Sequence, residues 1–99
     1  MLYVNKTIEN EETVLALQGR LDTVTAPELT RYIDELPEET EALELDFSDL
    51  EYISSAGLRV LLSAQKRMAK KGGMRVSHVC PAILEIFEVT GFSDILTIE

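Results

Sequence analysis

The sequence predicts a single α/β domain over residues 1–99, with a mixed β-sheet of four to five strands and helices packed on it. The chain has 99 residues, of which 45% are hydrophobic, and this suits one modest core. From Ala42 onward, strand-like and helix-like segments alternate, as in parallel βαβ units. Two strand-like segments near the N-terminus flank a polar turn, which predicts a hairpin.

The hairpin strands are predicted over Leu2–Ile8 and Thr13–Gln18, where β-branched and apolar residues dominate. The polar residues Asn10-Glu11-Glu12 form the turn between them. Gly19 interrupts the second run and ends the second strand.

The first helix is predicted to start near Thr25 and to continue to about Leu36. Thr25 and Glu28 have the spacing of a capping box, in which two side chains satisfy free backbone N–H groups at a helix start. Pro27 lies in the first turn, where its missing N–H does little harm. Pro37 then ends the helix.

The second half of the chain alternates strand and helix. Apolar residues at every second position predict a strand over Ala42–Phe47, and apolar residues at helical spacing predict a long helix after Ser55. A strand over Met74–Val79, a helix from Pro81 to Gly91 and a short strand over Ile95–Ile98 complete the fold.

Charge excludes several classes of partner. There are 18 acidic and 9 basic side chains, so the formal net charge is -9. We therefore expect neither nucleic acid nor a membrane surface as a partner. Five bases cluster in the stretch 59–71, soon after Gly57, and they form either a solvated helix face or a surface for an acidic patch on a partner. These bases are Arg59, Lys66, Arg67, Lys70 and Lys71.

The compartment predicted for the chain is the cytoplasm. Cys80 is the single cysteine, so no internal disulfide forms, and a buried structural thiol fits a reducing environment. The sequence has no basic-then-apolar segment of the kind found in signal peptides. No apolar run approaches the roughly 20 residues that a membrane helix requires.

Two serines stand where the long helix begins, and three interpretations compete for them. One is a helix cap, since serine is a common capping residue. Another is a nucleophile elbow of the form G-x-S-x-G, but Ile53 occupies the first glycine position and His78 is the only histidine. The third is a phosphoacceptor, because a phosphate is favoured at the positive end of a helix dipole.

The sequence contains no motif that indicates an enzyme. No phosphate-binding glycine loop, dinucleotide fingerprint or cluster of metal ligands is present. We therefore predict no catalytic residue, no cofactor and no metal.

Three segments together resemble the STAS domain family, which includes sulphate-transporter domains and anti-sigma factor antagonists. The most specific is Leu45–Leu62, and the other two are Gly19–Leu29 and Glu88–Leu96. The resemblance covers essentially the whole chain and implies the STAS-like α/β fold. The length of the chain is similar to that of stand-alone bacterial anti-sigma factor antagonists.

The resemblance also implies a phosphoacceptor. In the family, the serine that follows an aspartate in an Asp-Ser-x-Gly-Leu motif is phosphorylated. Alignment on Gly57 and Leu58 places that serine at Ser55, with Ser54 in place of the aspartate and as an alternative acceptor. A second acidic position of the family matches Asp22, which is either a loop aspartate or part of the partner surface beside the serines.

The implied function is that of an anti-sigma factor antagonist, which binds an anti-sigma factor or serine kinase until it is phosphorylated. A PP2C-type phosphatase would reset it, and the protein would be a monomer or a weak dimer. The alternative is a structural STAS subunit of a lipid-transport or stress-sensing complex. The predicted partner-binding residues are Asp22, Thr23, Ser54, Ser55, Ala56, Gly57 and Arg59.

Overall fold

A computed structural model describes all 99 residues and has the predicted mixed α/β architecture. The five strands lie in the order β1-β2-β3-β4-β5, with β1 antiparallel to β2 and every other pair parallel. A short 3-10 turn over Phe92–Asp94 precedes the last strand. The elements are β1 (Leu2–Glu9), β2 (Glu12–Leu21), α1 (Ala26–Asp34), β3 (Ala42–Ile53), α2 (Ser55–Met68), β4 (Met74–Ser77), α3 (Pro81–Thr90) and β5 (Thr97–Ile98).

One hydrophobic core of 22 buried residues lies between the sheet and the three helices. The central strand β3 contributes Leu43, Leu45 and Phe47, which alternate along the strand and therefore face the same side. The ring of Phe47 meets that of Phe87 from α3, with centroids 6.4 Å apart. The opposite face of the sheet is mainly polar and partly exposed, so the helices cover only one side.

Several elements differ in length from the prediction. Gly19 does not end the second strand: β2 continues through it to Leu21, because a register shift at Gly19–Arg20 accommodates the φ of 103° at Gly19. Helix α1 ends at Asp34, short of Leu36, because the residue before a proline is disfavoured in helical geometry. Strand β3 continues to Ile53, well past Phe47, because it stays paired with β2 to its end. Two register shifts along this pair break the alternation of buried and exposed residues on which the prediction depends. Strand β4 ends at Ser77, because His78 adopts a left-handed backbone with φ of 57°.

Near the C-terminus, the predicted glycine stop is confirmed. Gly91 has a left-handed φ of 82° and ends α3. The final strand is shorter than predicted, because Ile95 follows directly on the 3-10 turn and only Thr97–Ile98 pair with β4.

A charged network joins the parallel strands on the open face of the sheet, the face that no helix covers. The guanidinium of Arg75 lies 2.6 Å from Glu12, 2.7 Å from Glu44 and 3.4 Å from Glu99. The hydroxyl of Ser77, a buried residue, donates to the second oxygen of Glu44 at 2.6 Å. The Ser77 hydrogen bond is the main reason that the pKa of Glu44 is lowered, and Arg75 lowers the same pKa further.

We expect Ser77→Ala to lower the free energy of unfolding by about 1.5 kcal/mol at pH 7, because a hydrogen bond to an ionised group is lost. The pKa of Glu44 is lowered in the folded state, so its contribution is present above the unfolded value and lost as pH falls through the folded value. The difference between wild type and variant should therefore shrink at pH 3.

Urea unfolding at pH 7 and pH 3 measures this difference. Thr7→Ala on the exposed edge strand is the control, and its effect should not change with pH. An equal loss of stability for Ser77→Ala at both pH values would contradict the assignment to Glu44.

Candidate functional site

The site lies where β2 and β3 end side by side. These strands are parallel, with Arg20 opposite Tyr52 and Leu21 opposite Ile53. The N–H of Ser54 donates to the carbonyl of Leu21 at 2.9 Å, which ties the two strand ends together. Asp22 and the serines, which are far apart in the sequence, therefore belong to one surface.

Gly57 determines how closely α2 approaches the sheet. It is buried, and a Cβ added there would lie 2.8 Å from Cγ1 of Ile53 and 2.8 Å from Cγ of Leu21. Only a residue without a side chain permits this approach. Gly57 thus lies beneath the predicted partner-binding surface and positions the residues above it.

The two serines have different environments. Ser54 is the N-cap of α2, and its carbonyl accepts from the N–H of Leu58 at 3.0 Å, but its hydroxyl makes no capping bond. The Ser54 Oγ is buried and without a hydrogen-bond partner. Ser55 is exposed at the first position of the helix. A serine therefore occupies the N-cap position as the capping interpretation expects, but the capping hydrogen bond to its hydroxyl oxygen is absent.

Free backbone donors surround Ser55. The N–H groups of Ser55, Ala56 and Gly57 have no acceptor, as expected in the first turn of a helix. Together with the helix dipole they create a positive potential at this point. The exposed hydroxyl of Ser55 therefore lies in a suitable environment for a phosphate.

The capping box of α1 lies one turn earlier than predicted. Thr25 makes no capping bond to its own helix; its hydroxyl accepts from the N–H of Asp22 at 2.9 Å and donates to the carbonyl of Arg20 at 2.8 Å. In return, Oδ1 of Asp22 accepts from the N–H groups of Val24 at 3.0 Å and Thr25 at 3.1 Å. The prediction of a Thr25–Glu28 box is therefore wrong, and Asp22 pairs reciprocally with Thr25.

These bonds keep Asp22 ionised and the loop ordered. The backbone hydrogen bond from Thr25 is the main reason that the pKa of Asp22 is lowered, and partial burial opposes it. The carboxylate of Asp22 is bonded within the loop, while Thr23 and Val24 are exposed. Val24 is 81% exposed, which is unusual for an apolar residue and makes it available for contact.

Sequence reasoning missed three residues of this surface, namely Arg20, Val24 and Tyr52. The guanidinium of Arg20 lies 4.2 Å from the centroid of the Tyr52 ring, and its Nε is 3.8 Å from Oδ2 of Asp22. Arg20 and Tyr52 are neighbours only because β2 and β3 pair in this register, which no local sequence pattern indicates.

The bases of α2 and of the segment after it differ in their contacts. Arg67 pairs with Asp34 at 3.1 Å, and Lys71 donates to the carbonyl of Glu38 at 2.9 Å. Arg59 has no ion pair, is exposed, and lies one helical turn after Ser55 on the same side of the helix. Part of the basic stretch is thus engaged within the chain, while Arg59 is free.

The structure contains no arrangement suited to catalysis at the serines. The Nδ1 of His78 lies 3.2 Å from Asp46 and makes no hydrogen bond to either serine. No group of three or more potential metal-ligating side chains is found. None of the helices combines the length and the apolar character needed to cross a membrane.

The fold and this site define a STAS domain. A family model described as "Mlab, STAS domain" matches residues 4–97, and the chain belongs to this family. The chain is 28% identical over 92 residues to the anti-sigma-B factor antagonist of Bacillus subtilis (strain 168), covering 91% of this chain and 84% of that protein. It is 30% identical over 88 residues to the anti-sigma F factor antagonist of Paenibacillus polymyxa, covering 86% and 75%.

A solved structure agrees closely with the fold. The crystal structure of an anti-sigma factor antagonist from Mycobacterium paratuberculosis superposes with a TM-score of 0.89 at 25% sequence identity. The similarity covers 99% of this chain and 85% of that one. The predicted membership of the STAS family and the predicted fold class are both confirmed.

Replacement of Asp22 tests the reciprocal box. Asp22→Asn keeps an acceptor oxygen and Asp22→Ala removes it, so stability should fall in the order wild type, Asn, Ala. The pKa of Asp22 is lowered on folding, so the loss in Asp22→Ala should be largest at pH 7 and should shrink as pH falls through that lowered pKa, when the protonated carboxyl keeps only a neutral acceptor oxygen. Thermal unfolding measures both effects. Glu28→Ala is the matched control, and a larger loss for Glu28→Ala than for Asp22→Ala would contradict the assignment.

Gly57→Ala tests the close approach of α2. In an open helix the change stabilises, but here the added methyl must displace Leu21 or Ile53, at a cost of about 1–3 kcal/mol. Urea unfolding measures the loss, with Ser63→Ala on the exposed face of α2 as the control. A Gly57→Ala variant as stable as wild type would show that the helix is free to move away.

Proposed function

We propose that this protein is an anti-sigma factor antagonist and that phosphorylation of Ser55 switches its binding. The unphosphorylated form binds an anti-sigma factor and thereby releases a sigma factor for transcription. The observation that carries the proposal is the exposed Ser55 hydroxyl at the start of α2, beside N–H groups without acceptors. The names of the relatives support the antagonist over a structural STAS subunit.

The fold tolerates a phosphate at Ser55. The group adds about -1.5 to -2 charge, and interaction with the helix dipole is worth up to about 2 kcal/mol in favourable geometry. The guanidinium of Arg59, one turn along the same face, carries the nearest unpaired positive charge on α2. Phosphorylation therefore leaves the domain folded.

Partner binding does not tolerate the same phosphate. Ser55 lies beside the exposed loop of Thr23 and Val24, so a partner on this surface covers the hydroxyl. A dianion would have to lose its hydration there, and it would stand near Asp22, whose lowered pKa keeps that carboxylate charged. The cost falls on the complex and not on the free protein, so the partner dissociates.

Burial favours Ser55 over Ser54 as the acceptor. A kinase must reach the hydroxyl oxygen, and the Oγ of Ser54 is inaccessible. The serine in place of the family's aspartate also removes one carboxylate from the site, which leaves Asp22 as its acidic residue.

In this scheme the protein is a ligand and a substrate and has no catalytic role. The anti-sigma factor is itself the serine kinase and supplies ATP and magnesium. A PP2C-type phosphatase removes the phosphate and restores binding.

Phosphate mapping tests the proposal. Each anti-sigma factor kinase of the host is purified and incubated with the protein, ATP and magnesium, and the product is analysed by mass spectrometry. We expect one phosphate on wild type and on Ser54→Ala, and none on Ser55→Ala, because of the two serines at the start of α2 only Ser55 is exposed. Phosphate on another residue, or none from a kinase that binds the protein, would refute the switch.

A further inference from the structure

A groove runs between α1 and α2, next to Ser55. Its volume is about 670 Å³, within the range of cavities that bind small ligands or side chains. It is open because Ala26 on α1 and Ala56 and Ala64 on α2 have short side chains. Ile33 and Val60 complete an apolar floor, which suits a hydrophobic occupant.

The ends of the groove differ in charge. At the far end, Asp34 and Arg67 pair with each other at 3.1 Å and neutralise one another. At the end near Ser55, Arg59 lines the groove without an ion pair. An occupant that fits both features has an apolar side chain and a carboxylate close to it.

The groove is continuous with the surface at Ser55. Thr23 and Ala56 line the groove, and they also flank the loop and the helix start that form the proposed site. A partner that covers Ser55 therefore reaches the groove without a change in the fold. None of the 99 residues fills the groove.

We propose that the groove between α1 and α2 receives an apolar side chain of the anti-sigma factor, and that Arg59 pairs with a carboxylate next to that side chain. This inference rests on the proposed function and adds the chemistry of the partner. Binding thus combines hydrophobic burial with one charge pair, and the charge pair selects among partners.

Two pairs of variants test the two parts of the groove. Thr30→Trp places a large ring over the groove from the exposed face of α1, and Arg31→Trp, on the next residue outside the groove, is its control. Arg59→Gln removes the positive charge that lines the groove, and Lys66→Gln, an equally unpaired base of the same helix outside the groove, is its control. Thermal unfolding establishes that each variant is folded.

Affinity is measured by calorimetry against each anti-sigma factor kinase of the host, with ADP in place of ATP so that no phosphate is transferred. We expect Thr30→Trp and Arg59→Gln each to weaken binding by about tenfold or more. The two controls should stay within about twofold of wild type. A carboxylate-to-lysine change in the kinase that restores binding to Arg59→Glu would identify the paired residue and support the inference.

The other outcomes overturn the inference in distinguishable ways. Wild-type affinity for Thr30→Trp and Arg59→Gln would overturn it while leaving the proposed function intact. Sedimentation showing a dimer that Thr30→Trp abolishes would assign the groove to a second copy of the chain. Failure of every host anti-sigma factor to bind wild type would overturn both the proposed function and this inference.

Discussion

The contact of Gly57 with the ends of β2 and β3 is the constraint on which the site depends. Leu21 and Ile53 leave no space for even a methyl group above them, so α2 starts directly on the sheet. The bond from the Ser54 N–H to Leu21 holds the same junction from the backbone. This arrangement turns the Ser54 hydroxyl inward and leaves Ser55 on the surface, so packing determines which serine is accessible.

Charge is distributed so that the surface near Ser55 can respond to a single added group. On the open sheet face, three carboxylates surround Arg75 and are neutralised in part by it. On the helical side, Arg67 and Lys71 are engaged with α1 and the segment after it. Arg59 remains unpaired beside the groove, while Asp22 is held as a carboxylate by its loop. A phosphate on Ser55 would change the balance between these two residues.

Local signals in the sequence were sufficient for much of the fold. The hairpin turn near Asn10, the alternation along β3 and the stop at Gly91 each depend on neighbouring residues only, and each is found. The end of β3 was missed because its register shifts depend on β2. Thr25 has an acidic residue three positions before it and another three positions after it, so the spacing of a capping box fits both Asp22 and Glu28. Only the structure shows that Asp22 is the partner of Thr25.

The same distinction between local patterns and long-range contacts applies to the candidate site. The motif and its resemblance to the family predict Ser55 and Asp22 as site residues, and the structure brings them to one surface. No local pattern indicates three other features, because they arise from contacts between distant segments. These are the burial of the Ser54 hydroxyl, the position of Arg20 against Tyr52, and the groove.

The central claim is that a phosphate on Ser55 removes the partner and spares the fold. The most direct measurement is the affinity of the anti-sigma factor for protein carrying phosphoserine incorporated during synthesis at position 55, compared with the unmodified protein by calorimetry. The account predicts that affinity falls by about tenfold or more, while the Tm stays within a few degrees. Equal affinities for the two forms, or loss of the fold on phosphorylation, would contradict it.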